Sequence, residues 1–222
     1  MPTMGQREEN TNFFYLLGAL LFLLLAFPIA QDLGIEESPI TRAIVYSILL
    51  LVGVWSLRGG RLYLPGFAFV IAGIVLSAIA TKTDAPVLYY TSTLAIFGFL
   101  LVSISHALKQ VVFGTEMNVN RLVGAICVFL LLGIIWSFAY SLVEVALPGS
   151  FSGFSPGHDP RSDSSWLYFS FVTLTTLGYG DITPESAVAR TLAFMQAVVG
   201  QFYIAVLVAG LVSAYISEKQ GS

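Results

Sequence analysis

Residues 175–181 read Thr-Thr-Leu-Gly-Tyr-Gly-Asp, a run whose chemistry lies in its backbone. Gly178 and Gly180 stand at alternate positions, and glycine enters the left-handed region of backbone space without steric cost. A strand built this way turns successive carbonyl oxygens, those of Thr176, Leu177, Gly178, Tyr179 and Gly180, toward one axis. Carbonyls from several chains replace the water of a dehydrated cation without bringing net charge. The Thr176 hydroxyl adds an oxygen below them, and Tyr179 packs outward to hold the diameter. Ion positions are therefore expected at Thr176, Leu177, Gly178 and Tyr179, with Gly180 closing the run.

Irregular backbone at membrane depth is tolerated only where protein buries it or water lines it. The preceding apolar segment, Ser164–Leu177, is too short to cross a bilayer and suits a re-entrant helix. Ser162 or Asp163 caps its start, and Trp166, Tyr168, Phe169 and Phe171 give it a bulky aromatic surface. Trp166, Thr175 and Asp181 are the expected supports of the glycine-containing run. The C-terminal end near Thr175 aims a partial negative charge at a central cavity, which favours a cation there.

The rest of the chain is suited to a bilayer. Of 222 residues, 56% are hydrophobic and only 10% charged, and mean hydropathy is +0.83. A hydrocarbon core of about 30 Å needs roughly 17–25 apolar helical residues. Six runs qualify: Phe13–Ala30, Ile40–Leu57, Leu62–Thr81, Ala85–Leu108, Leu122–Val143 and Thr191–Ser217. The expected class is an all-α membrane protein of six transmembrane helices plus the re-entrant helix and its loop. The polar stretch 109–121 divides a four-helix periphery, 1–108, from a second domain, 122–217, followed by a short tail, 218–222. Lys and Arg favour cytoplasmic N- and C-termini, with Arg7, Arg58, Arg61, Lys109, Arg121 and Lys219 inside and Arg42, Lys82, Arg161 and Arg190 outside. A cleaved leader at Phe13–Phe27 is the alternative for the first run, although Arg7-Glu8-Glu9 is not a positive leader region. A net charge of −3 offers no surface for nucleic acid. The single cysteine, Cys127, excludes an intrachain disulfide and reads as a small buried apolar residue. His-Glu-x-x-His and an intramembrane Asp pair are missing from the sequence, so catalysis has no support and no cofactor is expected.

Thr173-Leu-Thr-Thr-Leu-Gly-Tyr-Gly-Asp181 resembles the signature sequence of potassium channels. The match runs on through Pro184 and Arg190 to Gly200, which corresponds to the inner-helix hinge glycine of that family. Gly200–Val212 resembles the inner helix of bacterial two-helix pore domains, and the likeness as a whole covers about Leu122–Ser217. The resemblance implies a potassium-selective filter in a homotetramer that sits in the cell membrane among lipids and conducts potassium passively. It also implies a hinge at Gly200 and an inner path lined by Ile204, Val208 and Val212. Two residues depart from the family pattern. Leu177 replaces the more usual Val or Ile, and Val172 stands where some relatives place an acidic residue behind the filter. A non-conducting regulatory or structural subunit with the same pore fold is the alternative reading.

The four peripheral runs have the position of a voltage sensor but not its charges. Ala85–Leu108 contains no Arg or Lys, whereas each charge moved across the field supplies about 2.3 kcal/mol per 100 mV. The expected conductance–voltage relation in symmetric potassium is shallow, and an effective gating charge of several units per channel would contradict it. No nucleotide- or calcium-binding domain is expected after the last helix.

Overall fold

The computed structural model describes residues 12–32, 86–113, 119–154 and 165–220. They form five helices: α1 (Asn12–Asp32), α2 (Pro86–Phe113), α3 (Val119–Ala146), α4 (Ser165–Leu174) and α5 (Ala187–Gln220). Two short strands, β1 (Phe151–Ser152) and β2 (Thr183–Pro184), pair antiparallel, with Phe151 opposite Pro184 and Ser152 opposite Thr183. The described fold is thus mostly helical. Val119–Ala146 and Ala187–Leu207 are long and apolar enough to cross a bilayer. The expected spans Ile40–Leu57 and Leu62–Thr81 and the cap candidates Ser162 and Asp163 lie outside the described residues.

The chain divides into two compact units, Met1–Leu131 and Leu132–Ser222. In the first, α1 buries Phe13, Leu16, Leu20 and Leu23, the three-and-four spacing of one helix face. Phe14, Tyr15, Leu21, Phe22 and Leu25 remain exposed on its other sides. A helix that is apolar on both its packed and its exposed faces suits a lipid solvent. Gly124 of α3 meets Phe13, since a Cβ there would lie 3.0 Å from the phenyl ring. The buried Cys127 thiol donates to the Phe13 carbonyl at 3.6 Å. On α2, Leu100, Ile104 and Ala107 form the buried stripe. The Arg121 guanidinium donates to the Val111 carbonyl and ties the start of α3 to the end of α2.

The second unit is organised around an aromatic core of Tyr140, Phe151, Trp166 and Phe169, closed by Ile182 and Ala189. Tyr140 meets Phe169 edge-on at 4.8 Å, and Phe151 meets Trp166 edge-on at 5.0 Å. Each such pair contributes about 0.5–1.5 kcal/mol beyond the area it buries. Gly133 of α3 leaves room for α4, because a Cβ there would stand 2.4 Å from the Phe171 ring.

The loop after α3 is held by a carboxylate. Glu144 is buried, and its two oxygens accept the backbone N–H groups of Gly149 at 2.7 Å and Phe151 at 3.1 Å. The Glu185 N–H then reaches the Ser150 carbonyl at 2.7 Å, which fixes the β1–β2 pair. Glu144→Ala leaves two backbone donors unpaired, at a cost of roughly 1–3 kcal/mol for each buried group. The expected result is a lower midpoint of thermal unfolding for the purified protein, with a smaller loss for Glu144→Gln, which keeps acceptor capacity.

Candidate functional site

Helix α4 ends at Leu174, and the chain beyond it folds its amides back onto that helix. The Thr175 N–H and hydroxyl both donate to the Phe171 carbonyl, at 3.0 and 2.7 Å. The Thr176 N–H reaches the Thr173 carbonyl at 3.0 Å. Both the Leu177 and Gly178 amides reach the Val172 carbonyl, at 2.9 and 3.3 Å. In a planar trans peptide the N–H and the preceding C=O point in opposite directions. The carbonyls of Thr175, Thr176 and Leu177 are thereby turned away from α4.

Every second residue then takes a positive φ: +57° at Thr176, +58° at Gly178 and +79° at Gly180. The two glycines were legible in the sequence. Thr176 was not, because a β-branched residue in this region is a genuine outlier. Such a conformation costs on the order of 1–3 kcal/mol and persists only where its surroundings impose it. Here the returning amides of Leu177 and Gly178 impose it.

The outer end of the run is held from the side. Tyr168 on α4 donates its hydroxyl to Asp181 Oδ2 at 2.6 Å, and its ring stacks on Tyr179 at 6.5 Å with an interplanar angle of 8°. The Tyr168 hydrogen bond holds the Asp181 carboxyl below the ordinary aspartate value, with backbone amides assisting. Trp166 acts at one remove. It lies in the aromatic core against Phe151 and Phe154, with ring centroids at 5.0 and 4.5 Å.

Gly200 lies within continuous α-helix and faces the end of α4. A Cβ at Gly200 would stand 2.2 Å from the Leu174 carbonyl oxygen, so α5 meets α4 backbone to backbone. Four residues further on, Ile204 is exposed on α5. Val208 and Val212 lie on the same helix, with side chains outside those described.

With this geometry in place, residues 125–217 match a family described as ion channel. Three curated relatives align with part of the chain. Two pore potassium channel c of Oryza sativa subsp. japonica is 39% identical over 75 residues, 34% of this chain and 16% of the relative. Two-pore potassium channel 3 of Arabidopsis thaliana is 46% identical over 56 residues, 25% of this chain and 13% of the relative. Two-pore potassium channel 2 of Arabidopsis thaliana is 41% identical over 54 residues, 24% of this chain and 12% of the relative. No solved structure matches the chain. The match to each relative spans no more than 16% of that relative's length.

Sequence reasoning passed over a buried polar chain in this region. The Tyr140 hydroxyl on α3 donates to Gln196 Oε1 on α5 at 2.5 Å. Gln196 Nε2 donates to the Ser170 hydroxyl and carbonyl on α4, at 2.8 and 3.1 Å. The Ser170 hydroxyl in turn donates to the Gly133 carbonyl on α3 at 2.6 Å. Tyr140, Ser170 and Gln196 are fully buried, so the network pins α4 between α3 and α5. The one signal was a glutamine, Gln196, within an apolar run. Gly153 also escaped notice: its φ is +95°, and a Cβ would lie 1.8 Å from the Asp181 carbonyl oxygen.

The depressed Asp181 pKa gives a pH expectation. A carboxylate whose folded pKa lies below its unfolded value stabilises the fold above that unfolded value, and the contribution is lost as pH falls through the folded one. The Asp181 contribution is therefore intact above the ordinary value of 3.8 and is lost as pH falls from there through the lower folded value. Tyr168→Phe removes the leading cause of the shift. The expected outcome is an upward move of the Asp181 titration toward the ordinary value, read by NMR of the labelled carboxyl carbon.

Proposed function

We propose that the chain is one subunit of a homotetrameric, potassium-selective channel that carries passive potassium flux across the cell membrane without strong voltage gating. The observation that carries this reading is the file of carbonyls at Thr175, Thr176 and Leu177, turned from α4 by returned amides and continued by left-handed Gly178 and Gly180. One chain supplies one such strand, and four are needed to surround an ion. Potassium is further supported by the names of the three curated relatives.

The exposed surface of α5 supports assembly. Only 11% of its membrane-length window is buried within the chain, against 56% for α3. Phe194, Met195, Val198, Phe202 and Val206 stay exposed, an apolar surface for neighbouring subunits and lipid. In this reading residues 1–108 form a four-helix periphery, 122–217 the pore domain, and both termini are cytoplasmic. Thr176, Leu177, Gly178, Tyr179 and Gly180 hold the ions, supported by Thr175, Asp181 and Trp166. Gly200, with its contact to Leu174, is the pivot of the inner helix.

The deciding experiment is ion flux from liposomes containing only this protein, followed by bi-ionic reversal potentials. Potassium should permeate far better than sodium. Comparable permeabilities would refute selectivity, and no flux would favour the non-conducting subunit. Gly178→Ala places a Cβ on a residue at φ +58° and should abolish potassium flux. Native mass spectrometry should find four chains, and a conducting monomer or dimer would overturn the assembly.

A further inference from the structure

Gln201 follows the Gly200 contact on α5, and its side chain returns to the beginning of the filter. Its Nε2 donates to the Thr176 hydroxyl oxygen at 3.0 Å. Both residues are exposed within a single chain, so this amide stands at the inner mouth and not in the packed core. The Leu174–Gly200 contact sets its distance: with the α5 backbone against the α4 carbonyl, a glutamine reaches the hydroxyl, whereas an asparagine is one methylene shorter.

A threonine hydroxyl has one hydrogen and two lone pairs. An amide N–H on that oxygen occupies one pair and brings the positive end of a dipole beside the position where a cation would bind. We infer that Gln201 is a specificity-determining residue of the innermost ion position: it weakens the Thr176 hydroxyl as a ligand and discriminates against doubly charged cations. The inference rests on the reading of 176–180 as the ion path. Its sign follows from charge alone, because repulsion between the amide hydrogens and an ion doubles when the ion's charge doubles, while the geometry stays the same.

Barium, close to potassium in size but with twice its charge, is the probe. The measurement is equilibrium binding of barium and of potassium to the purified full chain by calorimetry, for wild type and for Gln201→Met, which keeps the length and loses the amide. Removal of one hydrogen bond of ordinary strength should tighten barium binding about tenfold. Potassium binding should tighten only about threefold, half the effect on the logarithmic scale. General loosening of the site would instead weaken both ions. In a Thr176→Val background, which lacks the hydroxyl, the effect of Gln201→Met should vanish. Gln201→Leu provides a second variant should the methionine form fail to assemble. Barium affinity that stays within about twofold of wild type, or falls, in the assembled variants would overturn the inference. Protein that binds barium with the expected variant effect yet passes no potassium in liposomes would overturn the proposed conduction and leave the inference intact.

Discussion

A strand whose amides are bonded to a neighbouring helix and whose carbonyls are turned away from it cannot hold itself together. The run from Thr176 to Gly180 belongs to neither a helix nor a sheet, so its shape is imposed from outside. The imposition starts with the amides of Thr175 to Gly178, which return to carbonyls at the end of α4. Unpaired buried backbone groups are costly, and these bonds satisfy both the exposed end of the helix and the start of the strand. The left-handed Thr176 shows how strong the imposition is.

Such a scaffold is only as firm as α4 itself, a helix of ten residues. Helices that short are marginal on their own. Its stability comes from its surroundings: Phe171 seated over Gly133, the aromatic core around Phe169 and Trp166, and the polar chain from Tyr140 through Gln196 to Ser170. Apolar packing is tolerant of small rotations, whereas hydrogen bonds are directional. The buried polar chain therefore fixes the rotation of α4 about its axis, which decides where Val172 and Thr173 present their carbonyls. At the outer rim, the pair held by Glu144 and the close approach of Gly153 to Asp181 complete the frame.

The parts of this arrangement that were legible in the sequence are those with a local signature. Alternate glycines, a short aromatic segment and long apolar runs each reflect a constraint within a few neighbouring residues. The helices α3, α4 and α5 follow from them to within a few positions, and so do the positive φ angles at Gly178 and Gly180. Partners distant in sequence were not legible. Nothing near Gln196 indicates that Tyr140, 56 positions away, will meet it. Gly133 lies in an apolar helix where a glycine has no evident task until Phe171 is seen against it. The two-residue strands were missed for the same reason, since Phe151-Ser152 and Thr183-Pro184 have no strand-like length and pair only because Glu144 and Ser150 bring the loops together. Thr176 differs again: its residue type argues against the conformation it adopts.

The contact between Gly200 and the Leu174 carbonyl changes what a glycine in this helix does mechanically. This glycine is a bearing surface, with no side chain to hold the two helices apart. The contact acts as a fulcrum. Tilting the lower part of α5 loads the last carbonyl of α4, one of the peptide dipoles that give that helix end its partial negative charge. The inclination of α5 and the electrostatic field at the end of α4 are consequently two readings of one coordinate.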